Sequence, residues 1–224
     1  MKLLAIDTAT EACSVAVMVS DAPFCRFEIC PQQHSQRLLP MVDEVLTQAQ
    51  IKIGDLDGLI YGRGPGSFTG VRIATGMIQG LALGTGLPVA GISTLAAMAQ
   101  QVMDETDAKL VVSAIDARMG EVYFAQYQNE KGIAVEVGEE CVCAPEVAAE
   151  RLPASFVPAG TGWAAYPALS SKITGLASVL YPSAEAMLKL GHQKFEQGDV
   201  TSVDGIQPVY LRDKVTWKKL PGRE

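Results

Sequence analysis

The chain has 224 residues, enough for one large domain or two small ones with a sizeable core, and its 48% hydrophobic content argues against disorder. A net charge of −7 excludes a stand-alone nucleic-acid binder, because phosphate contacts need clustered Lys and Arg, so any RNA contact would be supplied mostly by another protein. The five cysteines are odd in number and scattered, which reads as reduced thiols in the cytoplasm rather than a disulfide framework.

The chain opens on an apolar strand, Lys2-Leu3-Leu4-Ala5-Ile6-Asp7. Asp7 and Glu11 break any likeness to a signal peptide. A turn and a second strand, Cys13-Ser14-Val15-Ala16-Val17, complete a hairpin, and residues 26–30 form a third strand. Residues 36–50 show helical spacing, with Leu38, Leu39, Val42, Val45, Leu46 and Ala49 apolar and Met41 widening the arc. Gly58-Leu59-Ile60-Tyr61 is a strand that enters a glycine-rich turn at residues 62–70. Residues 71–84 then read as a helix, 88–92 as a short strand and 94–103 as another helix.

Residues 73–103 contain no Asp, Glu, Lys, Arg or His in a chain that is 19% charged. A surface helix normally carries charge on its outer face, so both faces of the 71–84 helix are expected to be covered, one by its own domain and the other by a partner. Gly76, Gly80 and Gly84 fall on one face and admit a close backbone, either a helix of the same chain or one from another subunit. Each glycine costs about 1 kcal/mol against Ala in a helix, so three need a reason. Glycines and Pro88 interrupt the stretch before it reaches the ~18 apolar residues of a membrane span.

Asp104-Glu105-Thr106-Asp107 is a polar linker and the expected domain boundary, dividing the chain into residues 1–105 and 106–224. The second half repeats the first. Lys109-Leu110-Val111-Val112-Ser113-Ala114-Ile115-Asp116 again ends in Ile-Asp before a turn and a strand at Glu121-Val122-Tyr123-Phe124-Ala125. Phe156-Val157-Pro158-Ala159 runs into Gly160-Thr161-Gly162 as the 58–61 strand runs into its own glycine turn. Such duplication predicts two related α/β halves. Residues 145–152 and 184–196 are expected helices, with Pro145 in a first turn, Ser183 a cap and Gly198 a terminator, and the tail beyond Asp204 is basic.

The 62–70 turn invites a phosphate reading, but it completes no such motif. Gly70 is followed by Val71 where a P-loop needs Lys, and the dinucleotide fingerprint lacks its third glycine. Close strand-to-helix packing is the simpler account. Ser67 lacks the flanking glycines of a nucleophile elbow and reads as a helix cap. His34 and His192 form no metal pair, and Cys141 and Cys143 share a strand face without metal-ligand spacing. Asp7 and Asp116 end matching strands, so they either face each other across a cleft or cap their own turns.

The run Gly64-Pro65-Gly66-Ser67-Phe68-Thr69-Gly70-Val71-Arg72 resembles the signature of the TsaB (YeaZ) family, which serves the synthesis of threonylcarbamoyladenosine in bacterial tRNA. The likeness extends through Ile6-Asp7-Thr8-Ala9-Thr10, Ala114-Ile115-Asp116-Ala117-Arg118-Met119-Gly120-Glu121-Val122-Tyr123, Gly160-Thr161-Gly162-Trp163 and Pro208-Val209-Tyr210-Leu211-Arg212. It implies an α/β fold of two actin/Hsp70-like (ribonuclease H-like) halves around a cleft. It also implies a cytoplasmic, non-catalytic scaffold and activator with no catalytic residues of its own.

The partners that the resemblance implies are TsaD, which transfers the threonylcarbamoyl group to the adenosine beside the anticodon, the ATPase TsaE, and a second copy of the chain when TsaD is absent. tRNA would be reached indirectly, and no membrane is involved. Carried over, the partner interface falls on residues 36–50 and 67–84, with Leu38, Met41, Val42, Val45, Arg72, Gly76, Met77 and Gly80 as contacts. Asp7, Thr8, Asp116, Gly160 and Gly162 would line a vestigial nucleotide cleft. The metal-binding histidines of the catalytic relative have no counterpart in residues 93–99, and Thr8 follows Asp7 where kinase-like relatives keep glycine. No cofactor or metal is therefore expected on this chain. The alternative is an ATP-binding kinase or ATPase using Asp7 and Asp116.

Overall fold

The structure, a computed structural model, describes residues 1–212; the basic positions Lys214, Lys218, Lys219 and Arg223 lie outside the described residues. Strands β1 (Leu3–Asp7), β2 (Ala12–Val19) and β3 (Ala22–Ile29) form an antiparallel meander. Helix α1 (His34–Gln48) leads to β4 (Gly58–Gly64), parallel to β1, and α2 (Phe68–Thr85) leads to β5 (Val89–Ser93), parallel to β4. The first sheet has the order β3-β2-β1-β4-β5. Helix α3 (Thr94–Glu105) carries the chain to β6 (Leu110–Asp116), β7 (Val122–Glu130) and β8 (Ile133–Cys143). Helix α4 (Pro145–Glu150) precedes β9 (Val157–Ala159), and α5 (Gly162–Ala165), α6 (Pro167–Ser170) and α7 (Ala184–Gln197) follow. The second sheet, β8-β7-β6-β9, repeats the order of the first without a fifth strand.

Side-chain alternation explains the layering. Leu4 and Ile6 of β1, with Val15 and Val17 of β2, face α1 and α2. Leu3 and Ala5 face the opposite way, into a core shared with Leu95 and Met98 of α3 and Met187 and Leu188 of α7. That core also takes Val111, Ile115 and Tyr127 from the second sheet, so α3 and α7 lie between the two sheets. Val112, Ala114, Val122 and Phe124 point outward beneath Trp163 and Leu169. Although α7 belongs to the second half of the chain, it rests on β1, β2, β4 and β5.

The uncharged stretch therefore has two separate causes. α3 lacks charge as far as Met103 because that part is interior, with Leu95, Ala97, Met98, Ala99 and Val102 wholly buried. α2 lies on the outside of the first sheet, buried on only one side. Several local expectations hold. Ser67 caps α2 by accepting from the Gly70 N–H, Ser183 caps α7, Pro145 sits in the first turn of α4, and Gly198 ends α7 at φ +71°. α2 begins at Phe68 rather than Val71, which brings Phe68 and Thr69 into its first turn. Among the described residues no helix is long and apolar enough to cross a membrane.

Candidate functional site: an open helix face beside a plugged cleft

The 62–70 turn fixes α2 against the end of β1. The Thr8 hydroxyl donates to the Gly70 carbonyl at 2.6 Å, and the Ser67 N–H donates to the Ala9 carbonyl at 2.7 Å. A Cβ at Gly70 would stand 2.0 Å from the Thr8 carbonyl oxygen and one at Gly66 2.3 Å from that of Ala9. These glycines serve close backbone approach, the packing role that the sequence suggested, and α2 is held rigidly at its N-terminal end.

Beyond that anchor, Val71, Ala74, Ile78 and Ala82 face the sheet, while Phe68, Arg72, Gly76, Gln79, Gly80, Leu83 and Gly84 face solvent. No atom outside the helix comes within 4 Å of a Cβ built at Gly76, Gly80 or Gly84. One face of the helix is covered by its own domain, as expected, and no segment of the described chain lies over the glycine stripe on the other. Apolar side chains are exposed on the same helix, Leu83 at 76% and Phe68 at 63%, with Gln79 beside the stripe and Met77 half-buried, and Leu39 of α1 is 54% exposed. Single exposed apolar residues are ordinary, but here they accompany three uncovered glycines on a helix face with no charge after Arg72.

On α1 the contacts must be reassigned. Leu38, Met41, Val42 and Val45 are sealed in the chain's own core against β1 and β2. The wide arc of α1 reflects burial beneath the sheet's outer face, and its outward residues include Leu39, Pro40 and Asp43.

A cleft of about 1120 Å³ opens beside the N-terminal end of α2, lined by both hairpin turns and by residues 209–212. Asp7 and Thr8 do not line it. Asp7 is fully buried; its Oδ1 accepts from the Ala9 N–H at 3.0 Å, and its Oδ2 has no hydrogen-bond partner among the described residues. Burial pushes its carboxyl up to about 7, against the lowering effect of the Ala9 N–H. A Cβ at Gly62 would fall 1.8 Å from that Oδ2, so the side chain is roofed by β4.

Asp116 does line the cleft, but its oxygens are engaged. Oδ1 accepts from the Arg118 N–H at 2.8 Å and from the Tyr166 hydroxyl at 2.7 Å, while Oδ2 pairs with Arg118 Nη1 at 3.0 Å. Desolvation, and then the Asp116 carboxylate, push the Tyr166 hydroxyl up to about 12. Arg118 reaches across to Glu11 at 3.1 Å, so the turns of the two matching hairpins hold each other. Gly160 and Gly162 are packing positions: a Cβ would meet the Ala114 carbonyl oxygen at 2.1 Å and 3.0 Å. The expected nucleotide set is thereby dispersed, with one aspartate sealed and the other neutralised by a guanidinium. Among the described residues no group of three His, Cys, Asp or Glu side chains is placed to hold a metal ion.

Sequence reasoning missed the extended segment that closes one side of this cleft. The Ile206 carbonyl accepts from Gln79 Nε2, the Gln207 carbonyl from the Tyr61 hydroxyl, and the Val209 N–H donates to the Arg63 carbonyl. Arg212 then pairs with Glu121 at 2.6 Å on the second hairpin. Tyr210 lies beside Phe68, with Arg72 over both rings at 4.8 Å and 3.3 Å from their respective centroids. Such a segment has no periodicity, and its Pro208 was its only local signal.

Two sheets of common strand order, helices between them and a cleft at the paired hairpin ends define an actin/Hsp70-like α/β protein. The family model described as "TsaD: tRNA N6-adenosine threonylcarbamoyltransferase" matches residues 28–217. The chain is 51% identical to a "tRNA threonylcarbamoyladenosine biosynthesis protein TsaB" of Escherichia coli (strain K12), covering 100% of both chains. It is 45% identical to the protein of that name from Haemophilus influenzae, covering 100% of this chain and 99% of the relative. The solved structure of YeaZ from Pseudomonas aeruginosa is 40% identical and superposes with a TM-score of 0.85 over 94% of this chain and 99% of its own. The chain belongs to the TsaB (YeaZ) family of tRNA threonylcarbamoyladenosine biosynthesis proteins.

Proposed function

We propose that this chain is a cytoplasmic, non-catalytic scaffold and activator subunit that docks on a TsaD-type transferase and supports transfer of the threonylcarbamoyl group to tRNA. Its half spanning residues 1–105 carries the docking surface, a TsaE-type ATPase joins the assembled pair, and tRNA is met through the complex. The observation that carries the reading is the solvent face of α2, where three open glycines accompany exposed apolar side chains. The dispersed cleft supports the non-catalytic part, since Asp7 is sealed and Asp116 is tied to Arg118.

A bare apolar face also favours self-association, so the free chain is a homodimer through α2 when the transferase is absent. Gly80→Glu places a charge in the middle of the trough without touching the chain's own core. The variant should fold, fail to co-elute with the TsaD-type partner on gel filtration, and fail to support modification of unmodified tRNA. Wild-type co-elution and modification would refute the docking role.

A further inference from the structure

Arg72 opens the stripe that continues through Gly76, Gly80 and Gly84 at four-residue intervals. It is exposed, yet it is not loose. Its guanidinium lies 3.3 Å from the centroid of the Phe68 ring and 4.8 Å from that of Tyr210, and its Nη1 donates to the Phe68 carbonyl at 3.1 Å. The two rings come from distant parts of the chain, one from the first turn of α2 and one from the 206–212 segment, with centroids 5.9 Å apart. A guanidinium stacked on aromatic faces has its plane fixed and keeps its remaining donors free.

Arg26, Arg37, Arg63, Arg118 and Arg212 all lie within 4.0 Å of carboxylates, and Arg151 instead donates to Cys141 Sγ at 3.4 Å. Arg72 has no carboxylate partner among the described residues, and the first turn of α2 contains no acidic side chain. In a chain of net charge −7, an arginine that is held in place but left without an anion is a position where carboxylates of the chain itself have been kept away.

We infer that Arg72 receives a carboxylate side chain of the partner subunit, and that Phe68 and Tyr210 hold it ready to do so. The inference rests on the docking reading above and adds the chemistry of the opposing surface: an acidic residue at the end of a close-packed apolar contact. A nucleic-acid phosphate is the other anion of suitable geometry. The glycine trough continuing from Arg72 favours protein: a phosphate backbone needs several cations, α2 carries none after Arg72, and Arg118 and Arg212, which line the cleft with Arg72, are already paired with Asp116 and Glu121. An arginine already oriented loses less freedom on pairing than a free one, and a charge pair enclosed by an apolar contact is shielded from salt.

The test compares the affinity of the full chain for its TsaD-type partner in wild type, Arg72→Ala, Arg72→Lys, Arg72→Glu and Tyr210→Ala, with Gly80→Glu as reference. Melting temperatures confirm that each variant folds. Arg72→Ala should weaken binding by about 30-fold, Arg72→Glu by more, and Arg72→Lys and Tyr210→Ala by less. Reversing the charge of one acidic residue on the partner should restore binding to Arg72→Glu. Wild-type affinity in Arg72→Ala and Arg72→Glu, with binding lost in Gly80→Glu, would overturn the carboxylate pairing and leave the docking face intact. Wild-type affinity in Gly80→Glu as well would remove the docking reading itself. Unchanged partner affinity with weakened tRNA binding by the Arg72 variants would assign the anion to RNA and overturn the inference.

Discussion

The double substitution Gly76→Ala, Gly80→Ala separates what α2 needs to fold from what it needs to dock. Both glycines lie inside a helix of 18 residues, and a Cβ at either meets nothing within 4 Å. Alanine is favoured over glycine in a helix interior by about 1 kcal/mol per position, so the isolated chain should gain about 2 kcal/mol. For a chain of this size that corresponds to a rise in melting temperature of roughly 4–8 °C. In the docked state the same methyl groups stand where a partner's backbone approaches, and overpacking costs about 1–3 kcal/mol, roughly a 5- to 150-fold loss of affinity. Thermal unfolding of the free chain and titration calorimetry against the TsaD-type partner read the two effects separately. A variant that is stabilised yet binds as tightly as wild type would refute the claim that the glycines are kept for close approach. One that is destabilised at a concentration low enough to keep the chain monomeric would show the stripe to be covered within the chain.

Other expectations concern the core and the cleft. The Asp7 carboxyl, at about 7 in the folded chain against 3.8 unperturbed, supports folding fully below about pH 4 and loses that support as pH rises through about 7. The loss between about pH 5 and about pH 8 is about 3 kcal/mol, and Asp7→Asn should flatten this part of a denaturant-measured stability profile; an unchanged slope would show that Asp7 is not the group responsible. Gly70→Ala forces a methyl group to within 2.0 Å of the Thr8 carbonyl oxygen, and chemical denaturation should register a cost of about 3 kcal/mol; a neutral result would mean that the turn is not held against β1. Calorimetry of the free chain with Mg-ATP should give no micromolar binding, because Asp7 is sealed away from the cleft and both oxygens of Asp116 are engaged. A micromolar dissociation constant would restore the kinase-like alternative.

Much of the architecture was legible because the two Ile-Asp hairpins and the two strand-to-glycine junctions repeat in the chain. Caps at Ser67 and Ser183 and the stop at Gly198 were readable because each uses local chemistry. β8 was legible only at its Cys141 and Cys143 end. It is an edge strand with Val135, Glu136, Val137 and Glu139 all in solvent, so no alternation betrays it. The site was less readable for a physical reason: absence of charge marks an interior helix and a docking helix alike. The charge-free run takes in α2 beyond Arg72 and α3 as far as Met103, and only the fold shows that α3 is enclosed and α2 open. The family resemblance carried Leu38, Met41, Val42 and Val45 onto the interface, although they belong to the core and Leu39 is the apolar residue left outside. A strand-end aspartate likewise reads the same whether it faces a cleft or, like Asp7, lies beneath the next strand.

Hydroxyl-radical footprinting of the full chain, free and mixed with its TsaD-type partner, tests the central claim most directly, because Phe68, Met77 and Leu83 report the outer face of α2 side chain by side chain. Strong protection of these three on mixing, with exposed Leu176 on the other half of the chain still oxidised, is the predicted result. A stable complex in which Phe68, Met77 and Leu83 oxidise as fast as in the free chain would contradict the account.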